Sequence, residues 1–254
     1  MSNDVTITMF TVGALSTNCY LCSRGSDAIV IDPGHGAHQP VFSYVDDHDL
    51  TVKGVFLTHG HLDHSRDAGV IANQFSVPVW LHPADHFMLK DTSGLFRMID
   101  QVLDHDAMEQ PNRIEHYTIP WSDPSFVNNG HNKGRPGVND GVATDPNHAA
   151  FPQVAIGQRV ALDTAVGTLT VIGAPGHSPG STMFLLGETC FSGDVLFRGG
   201  VGRVDLPGSD PYSMTSTLAD VVKHLPRSTE VRPGHGPATT IGTELATNPF
   251  LRAI

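Results

Sequence analysis

The chain has 254 residues, 39% of them hydrophobic and only 16% charged, and its 26 Gly and 18 Pro mark a turn-rich α/β protein rather than a coiled coil or helical bundle. Lys plus Arg number 15 against 26 Asp plus Glu, a formal charge of -11 that repels a phosphate backbone and excludes nucleic acid as the expected partner. No apolar run nears the roughly 18 residues of a membrane span, and the first basic residue is Arg24, so neither a span nor a secretory leader is read and a cytoplasmic location is expected.

Val5, Ile7 and Met9 alternate with Thr6 and Thr8. Turns at Gly13 and at Arg24-Gly25-Ser26 separate this strand from Cys19 to Cys22 and from Ala28 to Ile31, which predicts an N-terminal meander. Cys19 and Cys22 form a C-x-x-C, but on a strand residues three apart point to opposite faces, so both read as packing residues. Three cysteines cannot pair completely, which fits a reducing compartment. Asp32 to Gly36 is loop, and Gln39 to His48 is a helix with Val41, Phe42 and Val45 on one face. Lys53 to Leu57 is a short buried strand, Arg66 to Phe75 a helix, Val77 to Leu81 a strand, and Pro83 to Lys90 a helix opened by its proline.

A second round of strands covers Gln158 to Leu162, Leu169 to Ile172, Met183 to Leu186 and Thr189 to Ser192. Pro211 to His224 reads as a helix and Thr229 to Arg232 as a strand, followed by a tail docked by Leu245 and Phe250. Between the halves, Asp123 to Pro152 holds four Gly, four Pro and five Asn with no Leu, Ile or Met, an insertion that is either a solvated segment or a lid.

The strand Val55-Phe56-Leu57 runs into Thr58-His59-Gly60-His61-Leu62-Asp63-His64, three imidazoles and a carboxylate within six residues. His59 and His61, two apart, can aim both rings to one side, while Asp63 and His64 can open toward a second point as the chain turns into a helix. Two pairs of N and O donors suggest two cations. His177, Asp194 and His235 sit in Gly- or Pro-flanked loops, each just past a predicted strand end, where loops gather at one rim. Gly176-His177-Ser178-Pro179-Gly180 matches G-x-S-x-G in form, but that motif uses the N–H of the residue after Ser, and Pro179 has none. His35 and His38 can line the rim, and His82 and His86 make a weak metal pair at most. Arg203 either orients an acidic substrate or pairs with a carboxylate. The remaining histidines read as surface residues.

These residues resemble the metallo-β-lactamase fold superfamily, whose T-H-x-H-x-D-H signature is met in full by Thr58 to His64, with the later His, Asp and His in the family's order. The chain is most similar to the glyoxalase II branch, including its small bacterial forms. The likeness is carried by Asn18-Cys19-Tyr20, Ile31-Asp32-Pro33-Gly34, Gly176 to Gly180, Phe191 to Phe197, Gly202 to Gly208, Pro233 to Pro237 and Asn248-Pro249-Phe250-Leu251, nearly the whole chain outside 123–152.

The resemblance implies an α/β fold, an αββα sandwich of two mixed sheets flanked by helices, with residues 1–254 as one domain. It implies that His59, His61 and His177 hold one metal, that Asp63, His64 and His235 hold another, and that Asp194 bridges them, with Asp63 and Asp194 as the catalytic carboxylates. Two divalent ions are implied, zinc first, with iron or manganese as alternatives. The implied reaction is hydrolysis of a thioester or related small acyl compound by hydroxide generated at the metals. A thiol of pKa near 8.5 leaves without a general acid. Only 19 residues follow His235, short of the helical extension that grips glutathione in two-domain glyoxalase II enzymes, so the thiol carrier stays open. A mononuclear iron persulfide dioxygenase and a lactonase are the alternatives on the same fold, and a non-catalytic metal-binding module is the alternative from another class. The expected partner is a small molecule, with no membrane and no nucleic acid.

Overall fold

Two tight turns fold the N-terminal residues into antiparallel neighbours, β1 (Thr6–Val12), β2 (Thr17–Arg24) and β3 (Asp27–Ile31). The period-2 alternation of a strand then splits their side chains. Cys19, Leu21, Ala28 and Val30 face one core, while Tyr20, Cys22, Ile29 and Ile31 face another. Sheet faces buried on both sides need a cover on each. The computed structural model, which describes residues 4–89, 108–116 and 154–254, contains both covers.

On one side lie α1 (His38–Asp47), which returns the chain to β4 (Thr51–Phe56), and the pair α2 (Leu62–Ser65) and α3 (Ala68–Phe75), which leads to β5 (Val79–Leu81). Val41 and Val45 of α1 and Ala68, Ile71 and Ala72 of α3 complete the first core. β6 (Ile114–His116) ends the sheet, whose order is β1-β2-β3-β4-β5-β6 with β3 to β6 parallel.

The second sheet is an antiparallel meander of β7 (Arg159–Thr164), β8 (Gly167–Gly173), β9 (Thr182–Leu186) and β10 (Thr189–Gly193). After α4 (Pro211–Asp220), β11 (Glu230–Pro233) joins parallel to β10, and β12 (Thr239–Thr240) forms the edge before α5 (Ile241–Thr247) and α6 (Pro249–Arg252). Leu169, Val171, Phe184 and Phe191 meet Tyr20, Ile29 and Phe56 between the sheets. Ile172, Met183 and Val231 point the other way onto Met214, Leu218, Ile241 and Leu251. The three cores define the expected αββα layering with two mixed sheets. No helix among the described residues is long and apolar enough to cross a membrane.

Several elements depart from expectation. The helix predicted from Arg66 begins four residues earlier and is interrupted before Ala68, so Asp63 and His64 ride on a helical turn. Pro83–Leu89 is a 3-10 helix, not an α-helix. The helix read to His224 stops at Asp220, with a 3-10 turn over Val222–His224. Phe250 is 49% exposed, and the tail docks instead through buried Leu251 with Leu245 beside it. β6 and β12 have three and two residues, too few for periodicity to declare them. The insertion at 123–152 lies outside the described residues.

Pairing then decides where the strand ends meet. The parallel register of β10 and β11 sets Gly193 against Pro233, so the loops carrying Asp194 and His235 leave the sheet side by side. The Thr182 N–H and hydroxyl both donate to the Thr58 carbonyl, at 2.8 and 3.0 Å, tying the second sheet to the end of β4. Phe184 is fully buried between the sheets, and Phe184→Ala is expected to lower unfolding free energy by about 3–5 kcal/mol, read from urea denaturation.

Candidate metal centre

The Thr58–His64 segment is positioned from behind by Asp32, which lies just past β3. One carboxylate oxygen of Asp32 accepts the Thr58 N–H at 2.7 Å, and the other accepts the Thr58 hydroxyl at 2.7 Å and the His64 Nδ1–H at 3.1 Å. Because the Thr58 hydroxyl proton is committed to Asp32, its oxygen accepts from His59 Nδ1, 3.0 Å away. Both rings thereby turn Nε2 inward, and His59, which donates through Nδ1, keeps a lone pair there.

The later histidines follow the same rule. His177 Nδ1 lies 2.8 Å from the Arg203 carbonyl and His235 Nδ1 lies 3.1 Å from the Leu15 carbonyl. A carbonyl only accepts, so each ring donates there and turns its Nε2 to the centre. The His235 loop is itself clamped by β2. Asn18 donates through Nδ2 to the Pro233 and Gly236 carbonyls and through its backbone N–H to Gly234, and the Tyr20 hydroxyl donates to Pro233 at 2.7 Å. The loop after Asp194 is clamped from the C-terminus. Buried Glu244 accepts the Gly199 N–H at 2.8 Å, and Asn248 Nδ2 reaches the Gly200 carbonyl at 3.1 Å.

All seven residues singled out in the sequence come together. His59, His61 and His177 form one group of donor atoms and Asp63, His64 and His235 another, each within 4.8 Å; Asp32 joins His59 and His64 in a third. Asp194 lies between the first two groups, with Oδ1 3.2 Å from His64 Nε2 and Oδ2 3.5 Å from both His177 Nε2 and His235 Nε2. His61 Nδ1 is 2.8 Å from His177 Nε2, and His235 Nε2 is 3.2 Å from Asp63 Oδ2.

The two groups differ electrostatically. Burial, reinforced by His64, His61 and His177, drives His59 well below the usual imidazole range, and burial with His177 takes His61 down to about 3. Burial also lowers His177 despite Asp194. The first group is therefore three neutral imidazoles. In the second, burial opposes charge, but Asp194 and Asp63 outweigh it and raise His64 well above its ordinary value, and Asp63 and Asp194 likewise raise His235. Burial raises the two carboxyls, yet His64 and its neighbouring histidines outweigh it and hold Asp63 and Asp194 below the usual carboxylate range.

Such a donor set fits a divalent cation. Buried His59 Nε2 has no hydrogen-bond partner among the described residues, and it stands beside the neutral His61 and His177 and near the ionised Asp63 and Asp194, the states in which these side chains ligate metal. A family model for the metallo-β-lactamase superfamily matches residues 12–235. The chain belongs to that superfamily. A Mycobacterium tuberculosis protein is 31% identical over 98% of both chains. Hydroxyacylglutathione hydrolase GloC of Haemophilus influenzae is 28% identical over 97% of this chain and 98% of its own. Among solved structures of the same fold, the protein TTHA1623 in a di-iron-bound form superposes with a TM-score of 0.70 at 30% identity, covering 96% of this chain and 100% of that one.

The other candidates resolve differently. His38 pairs with Asp67 at 2.8 Å, and neither it nor His35 joins a donor group among the described residues. His82 and His86 join no group of three or more donor residues among the described residues; buried His82 accepts the Ala84 N–H through Nδ1, and the His86 ring stands 5.3 Å from that of His116. Arg203 makes a bidentate, exposed pair with Asp205, and its backbone carbonyl is what serves the site. Cys19 and Cys22 belong to opposite cores as read, and burial pushes the Cys22 thiol up to about 12. The backing roles of Asp32, Thr58 and Glu244 are not legible in the sequence. Asp32 and Thr58 carry a signal only as members of the Ile31 to Gly34 and Thr58 to His64 motifs.

Removing a partner behind a ligand costs metal affinity roughly 10- to 100-fold in general. Asp32→Ala is expected to weaken Zn2+ binding by that factor in competition with a chromophoric chelator, with the circular dichroism of the wild type retained.

Proposed function

We propose that this protein is a metal-dependent hydrolase of a thioester or related small acyl compound. Three neutral imidazoles beside a group that adds the Asp63 carboxylate to two histidines, with the Asp194 carboxylate between them, carry this reading. His59, His61 and His177 would hold one divalent ion and Asp63, His64 and His235 a second, with Asp194 serving both; zinc is the first choice, and iron is kept in view by the di-iron relative. Ions in such a site lower the pKa of bound water toward neutrality and polarise a carbonyl oxygen.

The chain supplies the rest. The ionised Asp63 and Asp194 carboxylates face the centre, and the Thr17 hydroxyl orients Asp63 from 3.2 Å. The His235 side chain is 26% exposed while those of His64 and His177 are buried, so substrate would enter on the His235 side, past Phe197, whose ring stands 5.9 Å from the imidazole. Ser178 is no nucleophile in this reading: its hydroxyl donates to Asp85 at 2.6 Å and Pro179 lacks the N–H of an oxyanion hole. A thiolate leaving group suits a site whose carboxyls are held ionised, because it needs no proton from them. The GloC relative supports the thioester as the first substrate class to assay.

Thioester turnover in 18O-labelled water is expected to place one solvent oxygen in the released acid, without oxygen uptake. Oxygen consumption with a persulfide and no cleavage of thioester or lactone would overturn the assignment. Asp194→Asn is expected to reduce turnover roughly 100- to 1000-fold, the equivalent of several kcal/mol of transition-state stabilisation. His177→Ala and His235→Ala are each expected to lower the metal content measured by elemental analysis.

A further inference from the structure

The His59–His61 loop and the His177 loop come from different sheets, and one buried side chain joins them. Asp85, fully buried in the 3-10 helix after β5, accepts the Gly60 N–H at 3.0 Å and the Ser178 hydroxyl at 2.6 Å through Oδ2, and the Gly180 N–H at 2.6 Å through Oδ1. Ser181 braces the second loop further, its hydroxyl oxygen accepting the Ser178 N–H at 3.0 Å and lying 2.7 Å from Ser178 Oγ. The approach is close enough to demand glycine on both loops. A Cβ on Gly60 would sit 2.8 Å from the Asp85 carbonyl oxygen, and one on Gly180 would sit 2.7 Å from Asp85 Cγ. Gly60 is the residue between His59 and His61, and Gly180 lies three residues after His177, so each bond acts within a few ångströms of a candidate ligand.

A buried carboxylate is costly unless its charge is met by hydrogen bonds. Burial raises the Asp85 carboxyl to about 6 against the pull of these three donors, which leaves it ionised at neutral pH. An ionised carboxylate only accepts, so it can hold two backbone N–H groups and a hydroxyl at once. These bonds reach neither Asp63, His64 nor the His235 loop.

We propose that Asp85 is a positioning residue for the three-histidine site: it sets the separation of the His59–His61 loop from the His177 loop, and with it the affinity of that site for a divalent ion, while touching neither ion nor substrate. The inference rests on the metal reading above and adds a selectivity that a merely structural role lacks. In Asp85→Asn the amide keeps one acceptor oxygen, and in either flip its NH2 faces the N–H of Gly60 or of Gly180, so one of the two backbone bonds that tie the loops together is lost.

The test is Zn2+ affinity by chelator competition, with Asp85→Asn placed in two backgrounds. In His235→Ala, where the three-histidine group is intact, the substitution is expected to weaken Zn2+ binding about 10- to 100-fold. In His177→Ala, where the Asp63–His64–His235 group is intact, it is expected to change affinity by no more than about twofold, as for independent sites. Equal losses in both backgrounds, or none in either, overturn the proposal. Should Asp85→Asn fail to fold by circular dichroism, Ser178→Ala removes a single charge-assisted bond and is expected to show the same selectivity at about tenfold, with an unselective effect overturning the proposal. Wild-type protein that binds two Zn2+ while the Asp85 and Ser178 variants act without selectivity defeats this inference alone. Wild-type Zn2+ binding that neither His177→Ala nor His235→Ala alters defeats the metal reading and this inference together.

Discussion

Lone pairs and negative charge repel, and the rim of this sandwich packs them into one small volume: five imidazole nitrogens with the carboxylates of Asp63 and Asp194. The pull of Asp63 and Asp194 on His64 and His235 offsets only part of this. They are held from behind, by Asp32 and Thr58 under His59 and His64, by the Arg203 carbonyl under His177 and by the Leu15 carbonyl under His235. Each backing partner accepts the N–H of one ring nitrogen and so aims the other nitrogen inward. Asp63 and Asp194 raise His64 and His235 in turn, so that a proton settles where positive charge is most needed.

That constraint explains parts of the fold that never approach the centre. Asn18 and Tyr20 on β2 grip the Pro233 to Gly236 turn of the opposite sheet, and Glu244 and Asn248 grip the turn between Phe197 and Gly200. The first grip also joins the two sheets directly, through the Asn18 N–H to the Gly234 carbonyl at 2.7 Å. Motifs far from the donor residues in sequence therefore serve as their second layer of support, and the inter-sheet core supplies the rigidity on which such support depends.

The two donor groups are unlike, and the difference is built into their surroundings. The first is enclosed, uncharged and bound across the sheets through Asp85; the second sets the Asp63 carboxylate against His64 and His235, whose protonated forms it favours, and meets solvent on the His235 side.

Local pattern determined a good deal of this protein. Alternation placed Cys19 and Cys22 on opposite cores, turn residues separated the meander strands, and the crowding of His59, His61, Asp63 and His64 into six residues announced a centre, because a fold has no packing use for it. Flanking Gly and Pro marked the loops of His177, Asp194 and His235. Tertiary structure decided what local pattern does not encode. Strands as short as β6 and β12 exist only through pairing, Pro83–Leu89 becomes a 3-10 helix where it seats Asp85 against two loops, and Leu251 rather than Phe250 docks the tail. Arg203 serves through its carbonyl rather than its guanidinium, and Ser178 through a bond to Asp85, 93 residues away. The physical reason is common to all of these: a hydrogen bond or a packing contact across the sandwich depends on where two distant segments meet in space, and no periodicity in either segment records the other.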